Sequence, residues 1–205
     1  AERFYRASID MRLSVDARPN PDVAASLANL GRLLVAQDRL QEAEPILTQS
    51  VEMHQEFFGD SHFAPALPML TLAELVSKRG DHEDAIRMID DSLIILRANL
   101  PPLHPITATA LLSRGEALTQ AGRFTEAETS CRKSWDMAQA LDLDGRLYLG
   151  PIQTSLAAAV EGQGRTEDAI ALLREASTHY PEGDQTAVDI QERLERLREK
   201  QETDQ

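Results

Sequence analysis

Cysteine is almost missing from this chain. Cys131 stands alone, which excludes an internal disulfide framework and any cysteine-rich zinc site. Aromatic residues make up only 4% of the 205, too few for a sandwich or barrel whose strands favour aromatic and β-branched side chains. Positive charge is scarce as well: 21 Lys and Arg face 34 Asp and Glu, a net charge of −13. Phosphate backbones are bound by cationic surface, so nucleic acid is not an expected partner. No apolar run approaches the roughly 20 residues that cross a bilayer, so no membrane partner is expected either. The apolar content of 42% still suffices for a buried core.

What the chain has is internal repetition, the signal that decides fold before any other. Ala43, Ala85, Ala127 and Ala169 fall 42 residues apart, each preceded by an acid: Glu42, Asp84, Glu126 and Asp168. Five positions before the alanines stand Asp38, Gly80, Gly122 and Gly164. A small column, Gly31, Ala73, Gly115 and Ala157, precedes them by twelve, and another, Ser50, Ser92, Ser134 and Ala176, follows by seven. An aliphatic column runs through Leu34, Val76, Leu118 and Val160.

Each unit reads as two helices. Leu27, Leu30, Gly31 and Leu34, like Leu111, Gly115 and Leu118, carry helical spacing. Asn20-Pro21-Asp22 and His104-Pro105 suit the first turn of the leading helix. The glycine column ends it, because glycine accepts left-handed backbone. The second helix follows at once, with acids at the positive end of its dipole. Small residues recur where two antiparallel helices touch, since a bulky side chain there would overpack the contact by about 1–3 kcal/mol.

These columns resemble the tetratricopeptide repeat, most clearly in LANLGRLLVAQDRLQEAEPILTQSV and LLSRGEALTQAGRFTEAETSCRKSW. The period of 42, His104-Pro105 and the EAEPIL opening resemble the kinesin-light-chain type. The resemblance implies an all-α, right-handed superhelical solenoid of antiparallel helix pairs, with the first helix of each pair lining a concave side. Segments are expected at 1–19 (the second helix of a preceding repeat), 20–61, 62–103, 104–145 and 146–181 (four repeats), and 182–205 (a C-terminal cap helix and tail). The cap is expected from Ala187, Ile190, Leu194 and Leu197 sharing one face among charged neighbours. Ala1 and Ser8 fall 42 residues before Ala43 and Ser50, so the chain is expected to start inside a hairpin, as a fragment of a longer protein. The unpartnered first helix would then expose apolar surface around Phe4, Tyr5 and Ile9.

Catalytic chemistry finds no constellation in this sequence, and no cofactor or metal is expected. His62 and His104 hold equivalent positions before a first helix and read as capping or turn residues. Gly162-Gln163-Gly164 lacks the Lys-Ser/Thr of a phosphate loop. Cys131 and Trp135 align with aliphatic columns and are expected in the core. Arg114 interrupts a column of Leu30, Leu72 and Leu156. Its guanidinium must snorkel outward, face a ligand, or mark a local register shift.

The register assigns groove-facing positions. The first repeat supplies Ala25, Ala28, Asn29, Arg32 and Ala36, and the second Leu67, Leu70, Thr71, Glu74 and Lys78. Thr109, Leu112, Ser113, Glu116 and Gln120 follow in the third, then Thr154, Ser155, Ala158 and Glu161 in the fourth. The expected peptide-binding set is Asn29, Arg32, Leu70, Thr71, Glu74, Lys78, Ser113, Glu116 and Gln120. Asn29 heads it, because an amide offers both donor and acceptor to an extended backbone; the alternative is a solvent-facing amide without a ligand. Asn29 matches an asparagine common in the resembled repeats, whereas Thr71, Ser113 and Ser155 replace it in the others. A carboxylate clamp is not supported, since Ala28 and Arg32 stand where it would need Lys and Asn.

The expected function is non-catalytic: a cytoplasmic protein–protein interaction module that takes a peptide or partner helix in the groove. The alternative is an assembly or regulatory spacer of a larger signalling protein, such as a bacterial serine/threonine kinase, acting by self-association through the first helix.

Overall fold

The computed structural model describes residues 1–15 and 20–203. The expected boundary between the first helix and the first repeat, at 19/20, and the last two residues of the tail fall at or outside these limits. Among the described residues every regular element is helical. The helices are α1 (Glu2–Val15), α2 (Pro21–Ala36), α3 (Leu40–Phe58), α4 (Ala66–Lys78), α5 (His82–Asn99), α6 (Pro105–Gln120), α7 (Phe124–Ala140), α8 (Gly150–Gly162), α9 (Thr166–Ser177) and α10 (Gln185–Thr203). They divide into two compact units, residues 1–101 and 102–205.

In unit 1, α2 pairs with α3 and α4 with α5, while α1 packs on α2. In unit 2 the pairs are α6 with α7 and α8 with α9, and α10 closes on α9. Side-chain caps mark the starts of α2 and α6. Asn20 accepts from the Asp22 N–H at 2.8 Å, and His104 accepts from the Ile106 N–H through Nδ1 at 3.2 Å. His62, the residue between them in the 42-residue register, accepts from the Ala64 N–H at 3.1 Å. Both histidines are therefore turn and capping residues. Helix ends follow the stop column: Asp38, Gly80, Gly122 and Gly164 have φ of 59°, 99°, 74° and 79°. At Gly122 a side chain would meet nothing within 4 Å, so backbone conformation alone selects glycine there.

Inside the hairpins the four register alanines, Ala43, Ala85, Ala127 and Ala169, are each 0% exposed. Close approach governs the small column. A Cβ on Gly31 would lie 2.4 Å from Leu47 Cδ2, and one on Gly115 would lie 2.3 Å from Cys131 Sγ. Leu47 and Cys131 occupy the same register position, so one helix crossing recurs. Cys131 is fully buried, and burial pushes its thiol up to about 12. Ser50 donates to the Ala24 carbonyl and Ser134 to the Ala108 carbonyl, both at 2.7 Å. These bonds tie the second helix to the start of the first. Ser92 bonds instead to Met88 in its own helix.

Three side chains depart from expectation. Trp135 is half-buried, because an indole is too large to be enclosed between these closely packed helices. On α1, Ile9 is buried and Tyr5 packs against the core with Leu27 and Leu30, while Phe4 and Met11 are 76% and 64% exposed. The open apolar face of α1 is thus Phe4 and Met11.

The fourth repeat starts differently. Arg146 replaces the capping residue, and Asp144 accepts from the Leu147 N–H at 2.8 Å. A π-helical turn, Gly145–Leu149, precedes α8. His179 and Tyr180 fill the room left by its glycines: a Cβ would lie 2.5 Å from His179 Nδ1 at Gly145 and 2.6 Å from Tyr180 Oη at Gly150.

The crossing at Gly115 predicts that Gly115→Ala costs about 1–3 kcal/mol in urea unfolding. Combining it with Cys131→Ala should restore part of the loss, with a coupling of about 0.5 kcal/mol or more. Strictly additive losses would show that the two residues do not compete for one space.

Candidate functional site

The exposed face of the first helices is built from α2 and α4 in unit 1. Leu67, Thr71, Glu74 and Lys78 succeed one another by four, three and four, which places them on one stripe of α4. On α2, Ala25, Arg32 and Ala36 are exposed, and Ala28 and Asn29 are half-buried. The Asn29 amide forms no hydrogen bond with any described residue.

The two helices bring Arg32, Glu74 and Lys78 together. Glu74 reaches solvent, yet enough protein surrounds its carboxyl for desolvation to raise the pKa above the usual carboxylate value. Lys78 and then Arg32 act against that rise. Neither cation closes to a salt bridge among the described residues. The cluster therefore offers two cations and an acid whose ionisation is costly.

Two expected site residues behave otherwise. Leu70 is only 5% exposed. A large aliphatic side chain at this register gains more by turning into the protein than by facing water, so it supports the face rather than lining it. Thr71 spends its hydroxyl proton on the Leu67 carbonyl at 3.2 Å, leaving only its lone pairs for a ligand.

In unit 2 the corresponding face belongs to α6 and α8. Ser113 and Ser155 are half-buried, and Glu116 and Gln120 are exposed. Ser155 donates to Glu116 at 3.0 Å, joining the two helices. Thr109 and Thr154 donate to their own helices, at Pro105 and Gly150. Glu161 is held by Arg193 of α10, whose Nε lies at 3.1 Å and whose Nη2 also bonds it. That carboxylate belongs to the closing contact of α10, a departure from the groove role the register implied. Arg114 is half-exposed and helps hold the Glu126 carboxyl below its usual range, after the larger effect of Arg123. Its charge is thus satisfied by snorkelling toward an acid.

A stack of rings runs from the end of α3 into the connection that leads to α4. His54, Phe58, His62 and Phe63 follow one another with centroid separations of 6.3, 4.5 and 4.5 Å and interplanar angles of 19°, 11° and 30°. His54 is 7% exposed, and its Nδ1 donates to the Ser50 carbonyl at 2.8 Å. Burial lowers its pKa; the Ser50 carbonyl opposes that, and His62 adds to it.

A set of arginines in the turns escaped the sequence reading. Arg39 bonds Glu2 at 2.7 Å, Arg79 bonds Glu44 at 2.8 Å and Arg165 bonds Glu128 at 2.8 Å, each linking a hairpin to the second helix before it. Arg39, Arg123 and Arg165 also clip the acid three residues on. The signal was present, because Glu2, Glu44 and Glu128 share one register position. Gly164 and Gln163 likewise have structural work: the glycine ends α8 at positive φ, and Gln163 donates to Glu128 at 2.8 Å.

Family comparison agrees with this architecture. The tetratricopeptide repeat model matches residues 22–98 and 106–182, and a second such model matches 70–139. This chain belongs to the tetratricopeptide repeat family. Its repeats are of the kinesin-light-chain type. A curated relative, Protein KINESIN LIGHT CHAIN-RELATED 1 of Arabidopsis thaliana, is 26% identical over 163 residues, which is 79% of this chain and 27% of that protein. The chain therefore spans about a quarter of that relative's length. Among solved structures, a Podosopora anserina kinesin light chain with nearly identical TPR-like repeats superposes with a TM-score of 0.68 at 20% identity, over 87% of this chain and 86% of that one. BtubC (BKLC) from P. vanneervenii gives 0.70 at 16% identity, over 98% and 89%. These structures show the fold. Repeats of this family mediate protein–protein interactions. Among the described residues no group of three or more His, Cys, Asp or Glu is placed to hold a metal, and no helix is long and apolar enough to cross a membrane.

Two titrations follow from this site. The lowered pKa of His54 means that the unfolded chain takes up the proton first, so stability is full above about pH 6.5 and declines as pH falls below it. His54→Leu should lose less stability between pH 7.5 and 5.5 than the parent, read from urea midpoints; equal losses would dismiss the effect. For Glu74, carbon NMR should give a midpoint above 4.5 that rises further in Lys78→Gln. A midpoint at or below 4.5, or one unmoved by the substitution, would contradict the arrangement of charges.

Proposed function

We propose that the chain is a non-catalytic protein-binding module and that the first-helix faces take an extended peptide or partner helix. The observation carrying this reading is the α2/α4 face: an unbonded, half-buried Asn29 amide one turn from Arg32, which together with Lys78 acts on Glu74. An amide in that state can pair with a peptide N–H and C=O at once, while cations and an acid select the side chains between. In unit 2 the α6/α8 face by itself offers Ser113, Glu116 and Gln120, an acidic set without a cation. The proposed location is cytoplasmic. Ordering an extended segment costs conformational entropy, so affinity should be modest, with Kd about micromolar, or about −8 kcal/mol.

A second reading is an assembly segment of a larger signalling protein, such as a bacterial serine/threonine kinase, acting by self-association. The exposure of Phe4 and Met11 on α1 favours it.

Titrating a library of extended peptides separates the two. The Asn29→Ala/Lys78→Glu variant should bind about tenfold or more weakly than the parent. Unchanged binding would reject the α2/α4 face. Light scattering on the same samples should show a monomer; a dimer abolished by Phe4→Ser/Met11→Ser would favour assembly.

A further inference from the structure

Unit 2 carries an open depression of about 440 Å³ between the turn after α9 and the outward face of α10. Tyr180 and Pro181 form one wall, and Ala187 and Val188 form the other. Val188 is 42% exposed, although a valine at a solvated helix position gains nothing from water. The volume lies within the range of specific binding sites.

The walls are held from behind. Tyr180 sits against Gly150, where a Cβ would approach its hydroxyl to 2.6 Å. Arg146 pairs with Asp184 at 2.5 Å. Next to Tyr180, His179 bonds the buried Gln153 through Nε2 at 3.1 Å, and Gln153 donates to Glu175 at 2.9 Å. The inner face of α10 is committed too, with Ile190, Leu194 and Leu197 in the core.

The rim is acidic. Glu182, Glu192 and Glu195 border the depression, and none has a hydrogen bond or ion pair with any described residue. Arg193, the nearest cation in sequence, is turned away to Glu161. Arg196, one turn beyond Glu192, forms no ion pair among the described residues. An apolar floor ringed by unpaired carboxylates complements one ligand chemistry: large apolar side chains flanked by Lys or Arg.

We propose that this depression is a second docking site, separate from the first-helix faces, for a basic amphipathic helix of a partner protein. Apolar side chains of that helix fill the space between Tyr180, Pro181 and Val188, and its cations meet Glu182, Glu192 and Glu195. A second copy of the chain fits poorly, because its own net charge of −13 repels the acidic rim.

The test uses the full chain and a fluorescent helical peptide of about 16 residues, with leucines on one face and lysines on the other. Fluorescence anisotropy reads binding. Glu192→Lys/Glu195→Lys should weaken it about tenfold, and Val188→Asp should weaken it as well. Glu52→Lys/Glu56→Lys changes net charge equally on α3 and should have much less effect. Asn29→Ala/Lys78→Glu should leave it unchanged, which keeps this result distinct from the peptide-groove reading. Four outcomes would overturn the proposal: equal weakening by both charge reversals; equal binding of a peptide with Glu for Lys or with its leucines scrambled; loss of binding in the Asn29/Lys78 variant; or a dimer abolished by Val188→Asp.

Discussion

Everything in this protein rests on how closely two helices approach within a hairpin. At Gly31 and Gly115 no room exists even for a methyl group, and the register alanines opposite are wholly enclosed. Such contact lets backbone atoms of one helix come within reach of side chains on the next. Ser50 and Ser134 use that reach to bond carbonyls near the start of the first helix. Dispersion between closely packed surfaces then does what large aromatic residues do in other cores. A chain with 4% aromatics can therefore keep a dry interior.

Charge is organised around this packing rather than within it. Arginines at Arg39, Arg79 and Arg165 bridge consecutive hairpins, and their guanidinium groups hold Glu2 and Glu44 below the usual carboxylate range. Burial works against Glu128, but hydrogen bonds from Arg165 and Gln163 outweigh it. Exposed pairs of this kind contribute little energy each. Their value lies in repetition, because each fixes the turn from which the next second helix departs. Arg32 and Lys78 take no part in these bridges and act instead on Glu74 at the α2/α4 face.

The hairpins were legible in the sequence because their causes are local and periodic. Proline with Asn or His at a helix start, glycine at its end and small residues at the crossing all follow from rules a few residues wide. Side-chain destinations were harder to read, since they depend on neighbours distant in sequence. Leu70 shares its register with the half-exposed Ala28, Leu112 and Thr154 yet turns inward. Tyr5 and Ile9 face the core where Phe4 and Met11 do not. Glu161 was assigned to a face that Arg193 then claims, because no repeat period describes a helix that occurs once. Arg32, Glu74 and Lys78 act on one another across the neighbouring helices α2 and α4, whereas the turn arginines were hidden by the habit of reading charge as solvated surface.

The widened turn at Gly145–Leu149 has a consequence for modularity. Hairpins that share one period are interchangeable parts only while their entrances share one geometry. The fourth entrance is cut to receive an imidazole and a phenol from the segment that follows α9. Replacing that hairpin with a copy of the second or third would preserve the spacing of alanines but remove both receptacles, and the terminal helix would lose the anchor that orients it. Interchange of repeats thus has a natural limit at the hairpin that precedes α10.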